Sequence, residues 1–279
     1  MHVTTPQPTT DKTDTDILHN VEEIGPPPRA ASRIWIIRII SIVCVVGAWE
    51  VFGRRVNPLF MSHPSAILKA ASVMVASGEL LVALKSSLMT LLVGFCIASV
   101  CGVLIGLAIG RYRFVDAATD WIVNALYATP LVALIPLVIL WFGLGDAAKL
   151  FIVTILAVFP ILINTASGVR NVPSALIDVG AAFAANERQT FVKIILPAVV
   201  PYVMTGLRLG IGRAIIGMVV AEFFTAITGL GALIVKYGNQ YDTASMFVPI
   251  LILMTLGVLL TTMVRRMEDS FAPWRARDD

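Results

Sequence analysis

The scarcity of charge is the first informative feature of this sequence of 279 residues. Only 14% of the residues are Asp, Glu, Lys or Arg, whereas 57% are hydrophobic and the mean hydropathy is +0.85. Soluble domains carry about a quarter of charged residues. Several uncharged runs are also longer than the ~18 residues that a buried soluble helix would show. The composition therefore excludes an ordinary soluble domain and indicates an integral membrane protein.

Residues that build metal sites, disulfides and nucleotide sites are scarce as well. Cys44, Cys96 and Cys101 all lie within apolar runs, where we expect buried small hydrophobes. The three histidines lie outside these runs, and no G-x-x-x-x-G-K-[ST] phosphate loop is present. The sequence predicts no catalytic, metal or cofactor site on this chain.

Six apolar segments are long enough to cross a hydrocarbon layer of ~30 Å as helices. They are residues 34–52, 87–109, 121–142, 150–169, 199–224 and 244–264. The predicted fold class is all-α: a polytopic membrane protein with six transmembrane helices in a permease domain at 34–267. Residues 1–33 are polar and too acidic for a signal peptide, so we expect a disordered cytoplasmic tail there and a second tail at 268–279.

The distribution of lysine and arginine predicts the orientation. With both termini in the cytoplasm, the cytoplasmic segments carry twice as many of these residues as the external segments. The loop at 171–198 is then cytosolic. The net charge of +3 reflects this asymmetry rather than a surface for nucleic acid.

This polar loop, between the fourth and fifth spans, predicts a first short helix. Pro173 suits the first helical turn, where its missing N–H needs no partner. Leu176, Val179 and Phe183 follow at spacing i, i+3 and i+7 and form one apolar stripe, with Asp178 pointing elsewhere.

A second short helix is predicted from Asn186, which fits a capping box with Gln189. Its apolar face would hold Phe191, Ile194 and Ile195, and Leu196-Pro197 would separate it from the fifth span. Two short helices between two spans form a docking element.

The same segment resembles the E-A-A loop of bacterial ABC-importer permeases, with the pattern E-A-A, three residues, Gly, nine residues and I-x-L-P. The matching positions are Asp178-Val179-Gly180 for E-A-A, Ala184 for Gly, and Ile194, Leu196 and Pro197 for I-x-L-P. Gly is permissive for positive φ, and Ala is not. Any left-handed residue is therefore expected at Asn186, or the turn is less sharp.

Four further segments are similar to permeases of the nitrate, taurine and aliphatic-sulfonate uptake family. They are 137–146, 159–165, 205–209 and 219–223, within a resemblance that runs from about His63 to Arg266. The resemblance implies a type I importer permease of the bacterial inner membrane that is not itself an enzyme. Its implied partners are a second permease subunit, expected to form a homodimer, cytosolic ATPase subunits that hold ATP and Mg, and an extracytoplasmic binding protein. The loop residues from Leu176 to Pro197 would contact the ATPase.

The fifth span contains Arg208, Arg213 and Glu222, and intramembrane charges usually face a cavity or a partner. One interpretation is that the arginines attract a small anion such as a sulfonate, nitrate or carboxylate. The other is a structural charge network of Arg213 with Glu222 across the dimer. Both stay open at this stage, as does the identity of the substrate.

Three external or packing features complete the expectations. Ser62 to Ser86 predicts an amphipathic helix, for contact with a binding protein or for packing across the bundle end. Gly229-Leu230-Gly231 predicts a tight turn over the outer mouth. A stripe of small residues at Ala98, Gly102, Gly106 and Gly110 favours close packing of the second span within the chain.

The alternative function is an ion-coupled secondary transporter, which would need an acidic or histidine relay within the spans and often inverted repeats. Glu222 is the only carboxylate well inside the second to sixth predicted spans. A membrane scaffold or sensor would leave the loop motif unexplained.

Overall fold

The computed structural model describes residues 29–225 and 227–271, and their side chains from residue 35 to residue 268. Within these ranges the chain forms helices and connecting turns, with no strand. Most of the two predicted tails lies outside the described residues. The described part confirms the predicted all-α class.

The first helix, α1, is Arg29–Gly53, and all of it except Gly53 belongs to a unit of its own. The sequence predicted this span at 34–52. Its stretch Trp35–Gly53 is long and apolar enough to cross a membrane.

The remainder of the chain, from Gly53 onward, forms a second unit. Its helices are α2 Pro64–Ala76, α3 Glu79–Arg111, α4 Arg113–Ala128, α5 Ile135–Phe142, α6 Asp146–Arg170, α7 Ser174–Ala182, α8 Glu187–Thr190, α9 Leu196–Thr225, α10 Leu230–Asn239 and α11 Thr243–Phe271. A 3-10 turn, Leu131–Leu134, precedes α5, and a π turn, Phe191–Ile195, joins α8 to α9.

The third predicted span, 121–142, is broken rather than straight. Helix α4 and the segment Leu131–Phe142 meet at a bend of 83°. Thr129 is extended, as the residue before a proline must be, and Pro130 has no N–H with which to continue the helix. Five described helices are therefore long enough to span a membrane, and six spans result if the bent pair counts as one.

Helices α3, α6 and α9 form the centre of the second unit. The fully buried Ile161 of α6 lies where Gly102 of α3 and Gly210 of α9 have no side chains. A Cβ on Gly102 would lie 2.9 Å from the Ile161 Cβ, and one on Gly106 would lie 2.7 Å from the Thr165 Cβ. This close approach confirms that the stripe of small residues packs within the chain.

Two other expectations are corrected. The stretch from Ser62 to Ser86 is not one helix, because Gly78 adopts φ +77° and separates α2 from α3. Cys44 on α1 and Cys96 and Cys101 on α3 are all exposed rather than buried. An apolar run does not imply burial in a membrane protein, because its outer helix faces contact lipid.

Candidate functional site

Helix α7 presents an apolar surface that nothing in the described chain covers. The predicted stripe is exposed: Leu176 by 46%, Val179 by 54% and Phe183 by 84%. Pro173 lies one position earlier than expected, at the N-cap, with α7 beginning at Ser174. Apolar side chains exposed together on a polar loop indicate an interaction surface.

Helix α7 packs on the start of the following helix at Gly180, one turn after Leu176. Gly180 is buried there, and a Cβ at this position would lie 2.7 Å from the Ile194 Cδ1 atom. The absence of a side chain at Gly180 therefore allows α7 to lie against the π turn. The side chains of the stripe stay exposed beside this contact.

The turn after α7 contains a correction to the sequence prediction. Ala184, at the position of the motif glycine, adopts φ +54°, whereas Asn186 has φ −76°. The N–H of Ala184 donates to the Ala181 carbonyl at 2.9 Å, and that of Ala185 donates to the Gly180 carbonyl at 2.9 Å. This pair of bonds is a Schellman motif, which requires its left-handed residue one position after the C-cap. The expectation of a left-handed Asn186 or a milder turn was wrong.

Asn186 has the role that its sequence predicted. Its Oδ1 atom accepts a hydrogen bond from the Gln189 N–H at 2.8 Å, and its own N–H donates to the Gln189 Oε1 atom at 2.9 Å. The capping box is confirmed and fixes the start of α8.

The second loop helix is not separate from the fifth span. Helix α8, the π turn and α9 form one helix of 39 residues, Glu187–Thr225. The Leu196 N–H bonds to the Phe191 carbonyl, five residues back, and Pro197 follows inside the helix without ending it. A π turn widens the backbone by one residue, which accommodates the proline ring where a regular turn would clash. Ile195 is buried here, whereas Leu196 and Pro197 are exposed.

The charged residues of the fifth span have different surroundings. The Arg208 Nε atom lies 3.5 Å from a Glu268 carboxylate oxygen, and the Thr205 hydroxyl donates to the other oxygen at 3.2 Å. Arg208 therefore pairs with α11 of its own chain. Arg213 is exposed, five residues further along α9.

Glu222 is fully buried, and both of its oxygens are occupied. One accepts from the Ser87 hydroxyl at 2.7 Å and the other from the Gly231 N–H at 2.8 Å. A fully buried carboxylate is not accessible to Arg213 of a second copy, so the structure contradicts the proposed network between them. For the same reason Glu222 does not line an open path.

Sequence reasoning missed the partners of these charges because they are remote in sequence. Ser87 is 135 residues from Glu222, and Glu268 is 63 residues from Thr205. Lys149 lies just outside the predicted fourth span, 150–169, where the sequence gives no sign of burial. Its side chain is 1% exposed, and its Nζ atom donates to the Thr228 Oγ1 atom at 2.7 Å.

Comparison with known sequences agrees with the architecture. The family model for the inner membrane component of binding-protein-dependent transport systems matches residues 98–272. The SsuC protein of Bacillus subtilis, provisionally named an aliphatic sulfonates transport permease protein, is 30% identical over 92% of this chain and 94% of its own length. The formylaminopyrimidine transport permease protein ThiX of Halalkalibacterium halodurans is 28% identical over 82% of this chain and 92% of its own.

A solved structure has a related fold. A chain of the MetNI methionine ABC transporter, in an inward facing conformation, superposes with a TM-score of 0.57 and 19% identity. The match covers 71% of this chain and 98% of that chain. At this identity the likeness concerns the fold alone.

The strained turn gives a first testable prediction. Ala184→Gly removes the left-handed penalty and should stabilise the turn by about 0.5–1 kcal/mol, after allowance for the added freedom of the unfolded chain. Ala181→Gly, in the regular part of α7, is the matched control and should destabilise the helix by about 1 kcal/mol. Hydrogen exchange of the amides at 174–190 measures both. The Schellman assignment fails if Ala184→Gly lowers protection as the control does.

Proposed function

This chain belongs to the family of binding-protein-dependent transport system inner membrane components and is the permease of an importer, and we propose that helix α7 is the surface on which it binds a separate ATPase. The observation that carries the proposal is the exposed stripe of Leu176, Val179 and Phe183. Burying such side chains in a groove contributes about 1.5–3 kcal/mol each.

The proposed ATPase surface is supported by the rigidity of its attachment. Gly180 packs α7 on Ile194, and the capping box of Asn186 fixes the turn between them. A partner that binds the stripe would therefore displace α7 together with the start of the long helix, rather than deform the loop alone. In this proposal ATP and Mg bind to the partner, and the permease supplies the surface that responds to them.

The long helix offers a path from that surface into the membrane. Glu187–Thr225 has 39 residues, which is about 58 Å at ~1.5 Å per residue. We propose that displacement of α7 by the ATPase tilts or rotates this helix and so opens the pore alternately to the two sides. The secondary-transporter alternative loses its support, since Glu222 is fully hydrogen-bonded and buried.

We further propose that a second permease subunit completes the pore and that an extracytoplasmic binding protein delivers the substrate. A homodimer is the simplest arrangement for this chain. Both termini and the loop at 171–198 would be cytoplasmic, as the distribution of lysine and arginine predicts.

A substitution on the stripe tests the ATPase surface. Phe183→Asp should weaken binding by about 2 kcal/mol or more, a loss of roughly 30-fold in affinity, because apolar burial is lost and a carboxylate is desolvated. Co-purification of the ATPase and substrate uptake should both fall, with normal membrane insertion. Phe183→Leu keeps an apolar side chain and should retain most of both activities. Normal uptake and co-purification in the Asp variant would overturn the assignment.

Orientation is tested by labelling single cysteines in a variant in which the three native cysteines are replaced by serine. Asn186→Cys and Asn239→Cys both occupy exposed positions on the described chain. We expect a membrane-impermeant maleimide to label residue 239 in intact cells, and to label residue 186 only in inverted vesicles. The reverse pattern would remove the proposed contact with a cytosolic ATPase.

For the substrate, we propose a small organic anion. Arg213 is an exposed charge within the predicted fifth span, and a conduit needs only a weak, transient attraction for its cargo. The relative SsuC carries a sulfonate-transport name, which agrees with an anion, whereas the name of ThiX refers to formylaminopyrimidine.

The role of Arg213 is tested with Arg213→Gln, which keeps a polar side chain and removes the charge. Uptake of an anionic substrate should fall about tenfold, the effect of one charge-assisted hydrogen bond, while ATPase assembly stays intact. Arg208→Gln is the comparison, because Arg208 is paired with Glu268. This variant should lower thermal stability instead. Unchanged uptake in the Arg213 variant would exclude Arg213 from the path.

A further inference from the structure

The segment from Ile227 to Asn239 lies at the end of the long helix opposite α7, since that helix runs unbroken from Glu187 to Thr225. The sequence predicted only a tight turn here. The structure contains the turn and, after it, the ten-residue helix α10. The first residues of α10 lie against one buried carboxylate, that of Glu222.

Two consecutive amides reach this carboxylate. The Gly231 N–H donates directly to one oxygen of Glu222 at 2.8 Å. The Leu230 N–H donates to the Ser87 Oγ atom at 2.8 Å, and the Ser87 hydroxyl donates to the other Glu222 oxygen at 2.7 Å. Ser87 and Glu222 are both 0% exposed. A negative charge at a helix N-terminus is favourable because the first amides of the helix lack partners within it.

The backbone around this carboxylate is shaped to approach it. A Cβ on Gly231 would lie 2.7 Å from the Glu222 Cβ, and one on Gly229 would overlap the carboxylate itself. Gly229 also adopts φ +107°, which a side chain would strain. The turn therefore passes directly over Glu222 only because both residues are glycine.

Neighbouring polar contacts fix the same segment to the two other central helices. Lys149 of α6 donates to the Thr228 hydroxyl, at 2.7 Å, and to its carbonyl, at 3.3 Å. Further along α10, Glu79 of α3 accepts from Lys236 at 2.5 Å and from the Tyr237 hydroxyl at 2.7 Å. Glu79 raises the pKa of Lys236, so this pair stays charged at neutral pH.

We propose that Glu222 is a positioning residue for transport: it fastens the start of α10 to the long helix, so that the motion imposed at α7 carries α10 with it. The part of this proposal that concerns transport rests on the proposed function. The part that concerns fastening does not, and the two are measured separately.

Fastening is measured by hydrogen exchange of the full protein in lipid nanodiscs. Ser87→Ala removes the acceptor of the Leu230 amide, Glu222→Ala removes that of the Gly231 amide, and Glu222→Gln leaves a single acceptor oxygen. We expect exchange at 229–239 to accelerate about tenfold in the two Ala variants and less in Glu222→Gln, since a buried hydrogen bond is lost, with α6 unchanged. One variant is a matched control that should leave exchange at 229–239 unchanged. Ser99→Ala removes a hydroxyl that donates to the Phe95 carbonyl of its own helix.

Transport is measured as substrate uptake per ATP hydrolysed by the assembled complex. In the Ser87 and Glu222 variants we expect a severalfold fall in this ratio with ATP hydrolysis retained, and Glu222→Gln should be milder than Glu222→Ala because it keeps one acceptor. A protein that merely lost stability would lose assembly and hydrolysis together. If Glu222→Ala fails to fold, Ser87→Ala and Glu222→Gln decide the question.

Two results would overturn the proposal. Unchanged exchange at 229–239 would show that the carboxylate does not hold α10. Accelerated exchange with an unchanged uptake ratio would show that the position of α10 does not matter for transport. If the proposed function itself were wrong, the result would differ: the unsubstituted protein would assemble with no ATPase.

Discussion

The structure depends on close contact between three apolar helices that lipid alone does not drive together. Lipid tails are as apolar as the side chains of these helices, so association relies on packing and on buried hydrogen bonds. Ile161 meets this requirement by occupying the space beside Gly102 on α3 and beside Gly206 and Gly210 on α9. The glycines let the backbones approach, and the isoleucine fills the space that remains. This contact makes α3, α6 and α9 one rigid centre.

This centre lies between the two ends of the molecule to which functions are proposed, and also connects them. At one end the long helix begins with the capping box at Asn186, and at the other it ends beside the buried Glu222. Both ends are held by hydrogen bonds to backbone amides rather than by loose apolar contact. A helix held in this way transmits a displacement along its axis, because its bonds resist bending more than the loops on either side do.

Local features of the site could be predicted from the sequence, and features set by distant contacts could not. The stripe of Leu176, Val179 and Phe183 and the capping box follow from spacing within a few residues, and the structure has both. The left-handed conformation of Ala184 was missed because the prediction relied on the identity of the residue. In a Schellman motif the hydrogen-bond pattern sets which position is left-handed, whatever residue occupies it. The break at Pro130 was missed because prolines are tolerated within spans when neighbouring helices supply partners. Ser87 gives no signal in the sequence that would pair it with Glu222.

The surroundings of the intramembrane charges restrict how this permease can recognise a substrate. An isolated charge in lipid is costly, and a charge that is already paired cannot also bind cargo without breaking its contact. Glu222 is held by Ser87 and Gly231, and Arg208 by Glu268. Both charges thus have partners within the chain. Selectivity along the path must then come from few polar groups and from the shape of the pore, which suits a protein that receives its substrate already selected by another.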